Sequence, residues 1–207
     1  MYVLICGKQG SGKSAVTEKL RDYFTYRGTA CYSYDYLTPI YDVIEAVKIA
    51  LSQHYISPKD IADSVLLERV FDWFPACWKD IVVTQTNSVT ARWDELGMHY
   101  VAIIDGAPSI DVIDLFERKG AFKVYLDCPI DIRNERSNNI REESHPLEAG
   151  FNDCAVSNIF DLVVDTSKSS PEEVANLIGT EFQNKLKKAF TQTNTITEAD
   201  PSSNGSP

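Results

Sequence analysis

Hydrophobic and polar positions alternate along the chain between two patterns. Short runs of consecutive apolar residues predict buried strands, and longer stretches with apolar residues three and four apart predict helices between them. The predicted strands are residues 2–6, 30–34, 100–105, 122–127 and 161–165. Because strands that alternate with helices form parallel sheets, we expect a three-layer α/β domain with a five-stranded parallel sheet between two layers of helices.

Local signals mark several of the predicted helices. The first helix covers residues 13–27, and Ser170 and Glu173 have the capping-box spacing that opens the last one. Residues 78–96 are ambiguous, because residues 81–84 favour a strand while the apolar spacing of the whole segment is helical. The longer pattern predicts a helix there.

The interval between the second and third predicted strands is unusually long. Residues 36–99 show helical patterns only, although a parallel crossover needs only about a dozen residues. We interpret this segment as a helical insertion at the carboxyl edge of the sheet, where a second substrate could be enclosed. The domain as a whole covers residues 1–190, and residues 191–207 are rich in Thr, Asn, Ser and Pro, which predicts a disordered tail.

The first predicted strand leads into a stretch that matches the phosphate-loop pattern of Gly, four residues, Gly-Lys-Ser. Its residues are Gly7, Lys8, Gln9, Gly10, Ser11, Gly12, Lys13 and Ser14. The glycines allow the backbone amides to turn toward a triphosphate, the lysine can reach the terminal phosphates, and the last serine can hold Mg²⁺. A surface turn without a nucleotide is the alternative, but the strand before the loop and the helix after it favour nucleotide binding.

Acidic and aromatic residues end two of the predicted strands. Asp105 is placed to help hold Mg²⁺, or else it caps a turn. Asp35 could accept hydrogen bonds from a sugar hydroxyl or a base, or cap the following helix. Tyr34 could bind the substrate by stacking on a base, or it belongs to the core. The residues leave each of these alternatives open.

Three arginines follow the fourth predicted strand. Arg133 and Arg136 share a helix face, and Arg141 lies where a polar segment without periodicity begins. We interpret residues 133–152 as a lid whose arginines neutralise a migrating phosphoryl group. The alternative is a solvated face on which the arginines pair with neighbouring glutamates.

The net charge of −10 argues against a nucleic-acid surface, and no apolar run approaches the ~20 residues of a membrane span. We therefore expect a cytoplasmic protein that binds small-molecule nucleotides and neither nucleic acid nor membrane. A homodimer is left open.

With these motifs the chain resembles the P-loop nucleoside monophosphate kinases, and most closely the deoxynucleoside monophosphate kinases of bacteriophages. Asp105-Gly106-Ala107-Pro108 looks like the Asp-Gly-aromatic-Pro-Arg element of that family without its arginine. The stretch His145-Pro146-Leu147-Glu148 looks like a His-Pro-Ser-Glu element with Leu for Ser, and Thr38 stands where the group often has Lys. The resemblance implies strand order 2-3-1-4-5 and a substrate-binding role for Glu148. It also implies transfer of the γ-phosphate of ATP, with Mg²⁺, to a (deoxy)nucleoside monophosphate.

Two other functions remain compatible with the phosphate loop. One is a kinase for another small acceptor, such as a nucleoside or a cofactor precursor. The other is a non-kinase nucleotide-binding switch, although the Asn-Lys-x-Asp element of GTPases does not occur in the sequence.

Overall fold

The computed structural model describes residues 1–36, 38–53, 75–106, 110–136 and 158–197. Five parallel strands form one sheet in the order β2-β3-β1-β4-β5. They are β1 (Tyr2–Gly7), β2 (Ala30–Asp35), β3 (Tyr100–Asp105), β4 (Phe122–Asp127) and β5 (Leu162–Asp165). The predicted α/β class, the number of strands and the strand order are confirmed.

Helices connect the strands and cover both faces of the sheet. They are α1 (Lys13–Tyr26), α2 (Thr38–Gln53), α3 (Pro75–Glu95), α4 (Ile110–Glu117), α5 (Ile130–Arg136) and α6 (Pro171–Thr197). The helical prediction for residues 78–96 is confirmed by α3. At the start of α6 the Ser170 hydroxyl accepts from the Glu173 amide at 3.2 Å, and the Glu173 carboxylate accepts from the Ser170 amide at 2.8 Å.

The core consists of two apolar layers, one on each face of the sheet. On one face, strand residues pack against Leu20 and Phe24 of α1 and Ile178 of α6. On the other face they pack against Ile44 of α2 and Phe116 of α4. The alternation of side chains along each central strand supplies both layers, which leaves the carboxyl edge of the sheet as the place where loops converge.

Helices α1 and α6 approach each other closely at one glycine. A Cβ built on Gly179 of α6 would overlap the aromatic ring of Tyr23 of α1. Glycine at this position therefore permits a contact that any larger residue would separate.

The end of the chain differs from the expectation for residues 191–207. Helix α6 continues to Thr197, so residues 191–197 are helical and not part of a disordered tail. Extending a formed helix adds one hydrogen bond per residue without a new nucleation cost, so a polar sequence of low propensity can still continue it.

Helices α2 and α3 account for the described part of the predicted insertion, residues 36–99. The part of the predicted insertion between them, residues 54–74, lies outside the described residues, as does the lid beyond Arg136. Within the described ranges, no helix has the length and apolar character that crossing a bilayer requires.

Candidate functional site

The phosphate loop joins β1 to α1 at the carboxyl edge of the sheet. Gly7, Gly10 and Gly12 have φ angles of 151°, 79° and 93°, which L side chains rarely adopt. At Gly7 space is limiting as well, because a Cβ would lie 2.6 Å from the carbonyl oxygen of Leu126. The glycines predicted to shape the loop therefore do so, and Gly7 also allows close packing against β4.

Lys13 folds back over the loop. Its Nζ donates to the carbonyl oxygens of Gly7 at 2.8 Å and Lys8 at 3.2 Å, and the amide of Ser11 donates to the same Lys8 oxygen at 3.1 Å. The ammonium group is thus held above the amides that would surround a polyphosphate. A phosphate oxygen there would be a stronger acceptor than either carbonyl.

Asp105 ends β3 directly beside the loop, with only 6% of its surface exposed. Burial raises the pKa of its carboxyl group to about 6, the Lys13 ammonium lowers it, and the nearby Asp35 carboxylate raises it. The hydroxyls of Ser14 and Thr17 are close enough to lower the pKa somewhat. Even so, Asp105 Oδ1 and Thr17 Oγ1 have no hydrogen-bond partner of good geometry.

An unsatisfied buried carboxylate oxygen of this kind fits a divalent cation. Mg²⁺ prefers oxygen ligands, so Asp105 and the Ser14 hydroxyl are the groups that would hold it. The residues predicted as metal ligands are therefore close to one another and chemically suited to the ion.

Asp35 ends β2 opposite Asp105, since the two residues are register partners in the parallel pair of β2 and β3. A Cβ built on Gly106 would lie 3.6 Å from Asp35 Oδ1, so the carboxylate reaches over the turn that follows β3. Asp35 is solvent-exposed, whereas Asp105 is buried. Two carboxylates consequently border the side of the loop on which the insertion lies.

Tyr34 belongs to the core, so of its two interpretations, stacking on a base or a place in the core, the structure favours the second. Its ring is 4% exposed and stacks on Tyr32 with centroids 6.3 Å apart. Its hydroxyl donates to Gln85 Oε1 of α3 at 2.8 Å, and burial raises its pKa. No sequence signal marked Gln85, which connects the insertion to the sheet.

Arg133 and Arg136 lie on the opposite side of the loop. Arg133 is 8% exposed, and its guanidinium donates to the carbonyl oxygens of Cys128 at 3.1 Å and Gln9 at 3.2 Å. Arg136 Nη2 donates to the carbonyl oxygen of Thr166 at 2.7 Å. Its Nη1 lies 3.9 Å from where a Cβ on Gly12 would be. Both arginines that the helix spacing placed on one face thus approach the loop from outside.

Thr166 is a further residue at the loop, and its role was not predicted. It follows β5, is 3% exposed, and its hydroxyl donates to the Ser11 carbonyl oxygen at 2.9 Å. A polar residue directly after an apolar strand was the available signal. Two predicted site residues, Arg141 and Glu148, lie outside the described residues.

Comparisons with protein-family models and with curated proteins found no match. Several solved structures are similar. Shikimate kinase from Acinetobacter baumannii, in complex with shikimate, aligns with a TM-score of 0.54 at 15% identity over 89% of this chain and 94% of its own. For a sugar kinase from Janibacter sp. the TM-score is 0.47 at 16% identity, over 86% and 92%. For APS kinase from Mycobacterium tuberculosis, in complex with AMPPNP and APS, it is 0.46 at 15% identity, over 86% and 94%. The chain has the fold of the P-loop kinases.

Proposed function

We propose that this chain is a kinase that transfers the γ-phosphate of ATP to a small acceptor, with a (deoxy)nucleoside monophosphate as the first candidate. The observation that carries the proposal is the position of Lys13 over a glycine-shaped loop, directly beside the buried carboxylate of Asp105. Together they supply donors for phosphate oxygens and a carboxylate for a cation at one edge of the sheet.

Each residue has a defined task in such a reaction. The loop amides and the Lys13 ammonium bind the β- and γ-phosphates of ATP, and Ser14 and Asp105 are the residues that would hold Mg²⁺. The cation supplies charge neutralisation at the transferring phosphoryl group. Phosphoryl transfer depends mainly on positioning and electrostatic stabilisation, so a site that fixes the donor phosphates performs most of the catalytic work.

The acceptor would bind on the other side of the loop, where two classes of acceptor are candidates. The resemblance to nucleoside monophosphate kinases supports a monophosphate enclosed by α2 and α3. A second candidate is an acceptor that presents a hydroxyl group, because Asp35 and Asp105 place two carboxylates there. Asp35 would accept the proton of that hydroxyl as it attacks the γ-phosphate. The shikimate kinase with a TM-score of 0.54 was solved with shikimate, which makes shikimate a reasonable member of the test panel.

The test is formation of ADP from Mg-ATP in the presence of a panel of acceptors. The panel contains ribo- and deoxyribonucleoside monophosphates, nucleosides and shikimate. We expect turnover with one acceptor class, and a loss of at least about 100-fold in Lys13→Ala because the donor phosphates lose their charge-assisted contact. Lys19→Ala is the matched control, since Lys19 lies on the same helix, is exposed, and forms an ion pair with Asp22 at 3.9 Å on the helix surface.

Asp35→Asn distinguishes the two acceptor classes. For a hydroxyl acceptor we expect kcat to fall by about 10²- to 10⁴-fold, the contribution of a general base. For a monophosphate acceptor the attacking oxygen is already ionised, so kcat should change little. Binding of ATP without turnover on any acceptor would contradict the kinase proposal and favour a nucleotide-dependent switch.

A further inference from the structure

The phosphate loop must keep its amides directed inward, and its carbonyl groups therefore have to find partners elsewhere. The structure gives a hydrogen-bond donor for five of these carbonyls, those of Gly7, Lys8, Gln9, Ser11 and Gly12. Lys13 Nζ donates to the carbonyls of Gly7 and Lys8, and the helical amide of Val16 donates to that of Gly12. The remaining two, on Gln9 and Ser11, are served by side chains from outside the loop.

The contacts made by Lys13 should change when ATP binds, whereas the contacts to the Gln9 and Ser11 carbonyls need not. Under the proposed function Lys13 is drawn to phosphate oxygens when ATP binds, so it cannot hold the loop at that moment. The donors to Gln9 and Ser11 approach from the far side and remain in place. They are the side-chain contacts to the loop carbonyls that do not depend on Lys13.

Thr166 supplies one of these contacts. Its hydroxyl lies 2.9 Å from the Ser11 carbonyl oxygen and 3.1 Å from that of Asp127. The Asp127 oxygen already accepts from the Thr166 amide at 2.8 Å, so the single hydroxyl proton is better used at Ser11. Arg136 Nη1, 3.4 Å from the hydroxyl oxygen, donates to it weakly and favours this orientation.

Arg133 supplies the other contact. Its buried guanidinium bonds to the Gln9 and Cys128 carbonyl oxygens. Among the residues that the structure describes, no carboxylate forms an ion pair with it. A buried cation without an anionic partner is costly, and an anion bound in the adjacent loop would reduce that cost.

We propose that Thr166 and Arg133 are positioning residues of the phosphate loop, which hold the Ser11 and Gln9 carbonyls outward so that the loop amides face a polyphosphate. The inference rests on the proposed function only in that the loop binds a nucleotide triphosphate. It assigns Thr166 a role in binding, and it gives Arg133 a role through the loop and not through direct contact with the transferred phosphate.

The experiment measures binding and not turnover. Dissociation constants of Mg-ATP and of inorganic tripolyphosphate are determined by calorimetry for the parent protein, Thr166→Val, Thr166→Ser and Arg133→Met. Valine keeps the shape of threonine and removes the hydroxyl, so we expect Kd for both ligands to rise about 5- to 20-fold, as for one hydrogen bond to a buried carbonyl. Serine keeps the hydroxyl and should bind within about twofold of the parent. Arg133→Met should weaken both ligands by about 10-fold or more, since a charged donor is lost.

Thr90→Val is the matched control. Thr90 is also buried, and its hydroxyl donates to the Thr86 carbonyl oxygen at 2.9 Å, within α3 and away from the loop. Thr90→Val should lose about as much thermal stability as Thr166→Val, but it should bind both ligands like the parent. If Arg133→Met does not fold, the Thr166→Val and Thr166→Ser pair decides the question.

The outcomes separate this inference from the proposed function. If the parent binds both ligands and Thr166→Val binds them equally well, the positioning role is wrong while the proposed function stands. The role is also wrong if serine fails to restore binding, or if Thr90→Val weakens binding as much. If the parent binds neither ligand, both the inference and the proposed function fail.

Discussion

Replacing Asp105 by Asn should make the protein more stable at neutral pH while impairing its function. Burial raises the pKa of Asp105 from 3.8 to about 6, so the folded state holds the proton more tightly than the unfolded chain does. The shift of about two units, at roughly 1.4 kcal/mol per unit, corresponds to about 3 kcal/mol of stability lost once the carboxylate is ionised in the folded protein. The favourable effect of Lys13 is already contained in this net shift. Because an asparagine amide also has to be desolvated, we expect Asp105→Asn to gain about 1–3 kcal/mol.

The stability difference between Asp105→Asn and the parent should depend on pH. Below the unfolded pKa of 3.8 the carboxyl group is protonated in both states, so the variant should have no stability advantage over the parent. Between pH 3.8 and about 6 the unfolded chain ionises first, and the stability of the parent falls as pH rises. Above about pH 6 the full difference is present. The advantage of the variant should therefore be largest near pH 7.5 and vanish near pH 4.

The assay is urea and thermal unfolding of both proteins across this pH range, with activity measured in parallel. We expect a Tm increase of about 2–10 °C at pH 7.5 for a domain of this size. Kinase activity should fall by at least about 100-fold because the carboxylate proposed to hold Mg²⁺ is absent. Asp114→Asn, at an exposed position of α4, is the control and should change neither property. A variant no more stable than the parent at pH 7.5, or equally more stable at pH 4, would refute the assignment of a costly buried charge.

Glycine substitutions test two close approaches of the backbone. Gly7→Ala places a methyl group 2.6 Å from the Leu126 carbonyl oxygen, so we expect a loss of about 3 kcal/mol in the free energy of unfolding. Gly28→Ala meets no atom and should lose only about 1 kcal/mol, from its left-handed torsion. Gly179→Ala should destabilise by about 1–3 kcal/mol although Ala favours helices, because the methyl group would overlap the Tyr23 ring. Urea unfolding measures all three; equal losses at the first two sites, or a gain at the third, would contradict the packing described above.

Features that depend on neighbouring residues could be predicted from the sequence. The five strands are short apolar runs, and the phosphate loop is a contiguous pattern between a strand and a helix. Helix α3 shows the limit of local propensity, since residues 81–84 favour a strand and yet lie within a 21-residue helix. The helical spacing of apolar residues over the whole segment predicted the structure correctly, because burying one face of a long helix outweighs the preferences of four residues.

Features that depend on distant residues could not be predicted. Thr166 lies 155 positions from Ser11, and Arg133 lies 124 positions from Gln9, so no spacing relates them. Tyr34 shows the same limit, because only the packing of α3 determines that its hydroxyl meets an amide and its ring is buried. In each case the residue type was compatible with several partners, and the tertiary fold selected one.

Strand order explains why the site can hold two unlike charges without their neutralising each other. Strands β3 and β4 flank β1 on opposite sides, so Asp105 lies on one side of the phosphate loop and Arg133 on the other. Each is buried, and a direct ion pair between them would satisfy both at the expense of any ligand. With the loop between them, the carboxylate is left for a cation and the guanidinium increases the positive potential on the loop. A magnesium–triphosphate ligand would bring charges of both signs to the loop, and the order of three strands keeps the two protein charges apart to receive it.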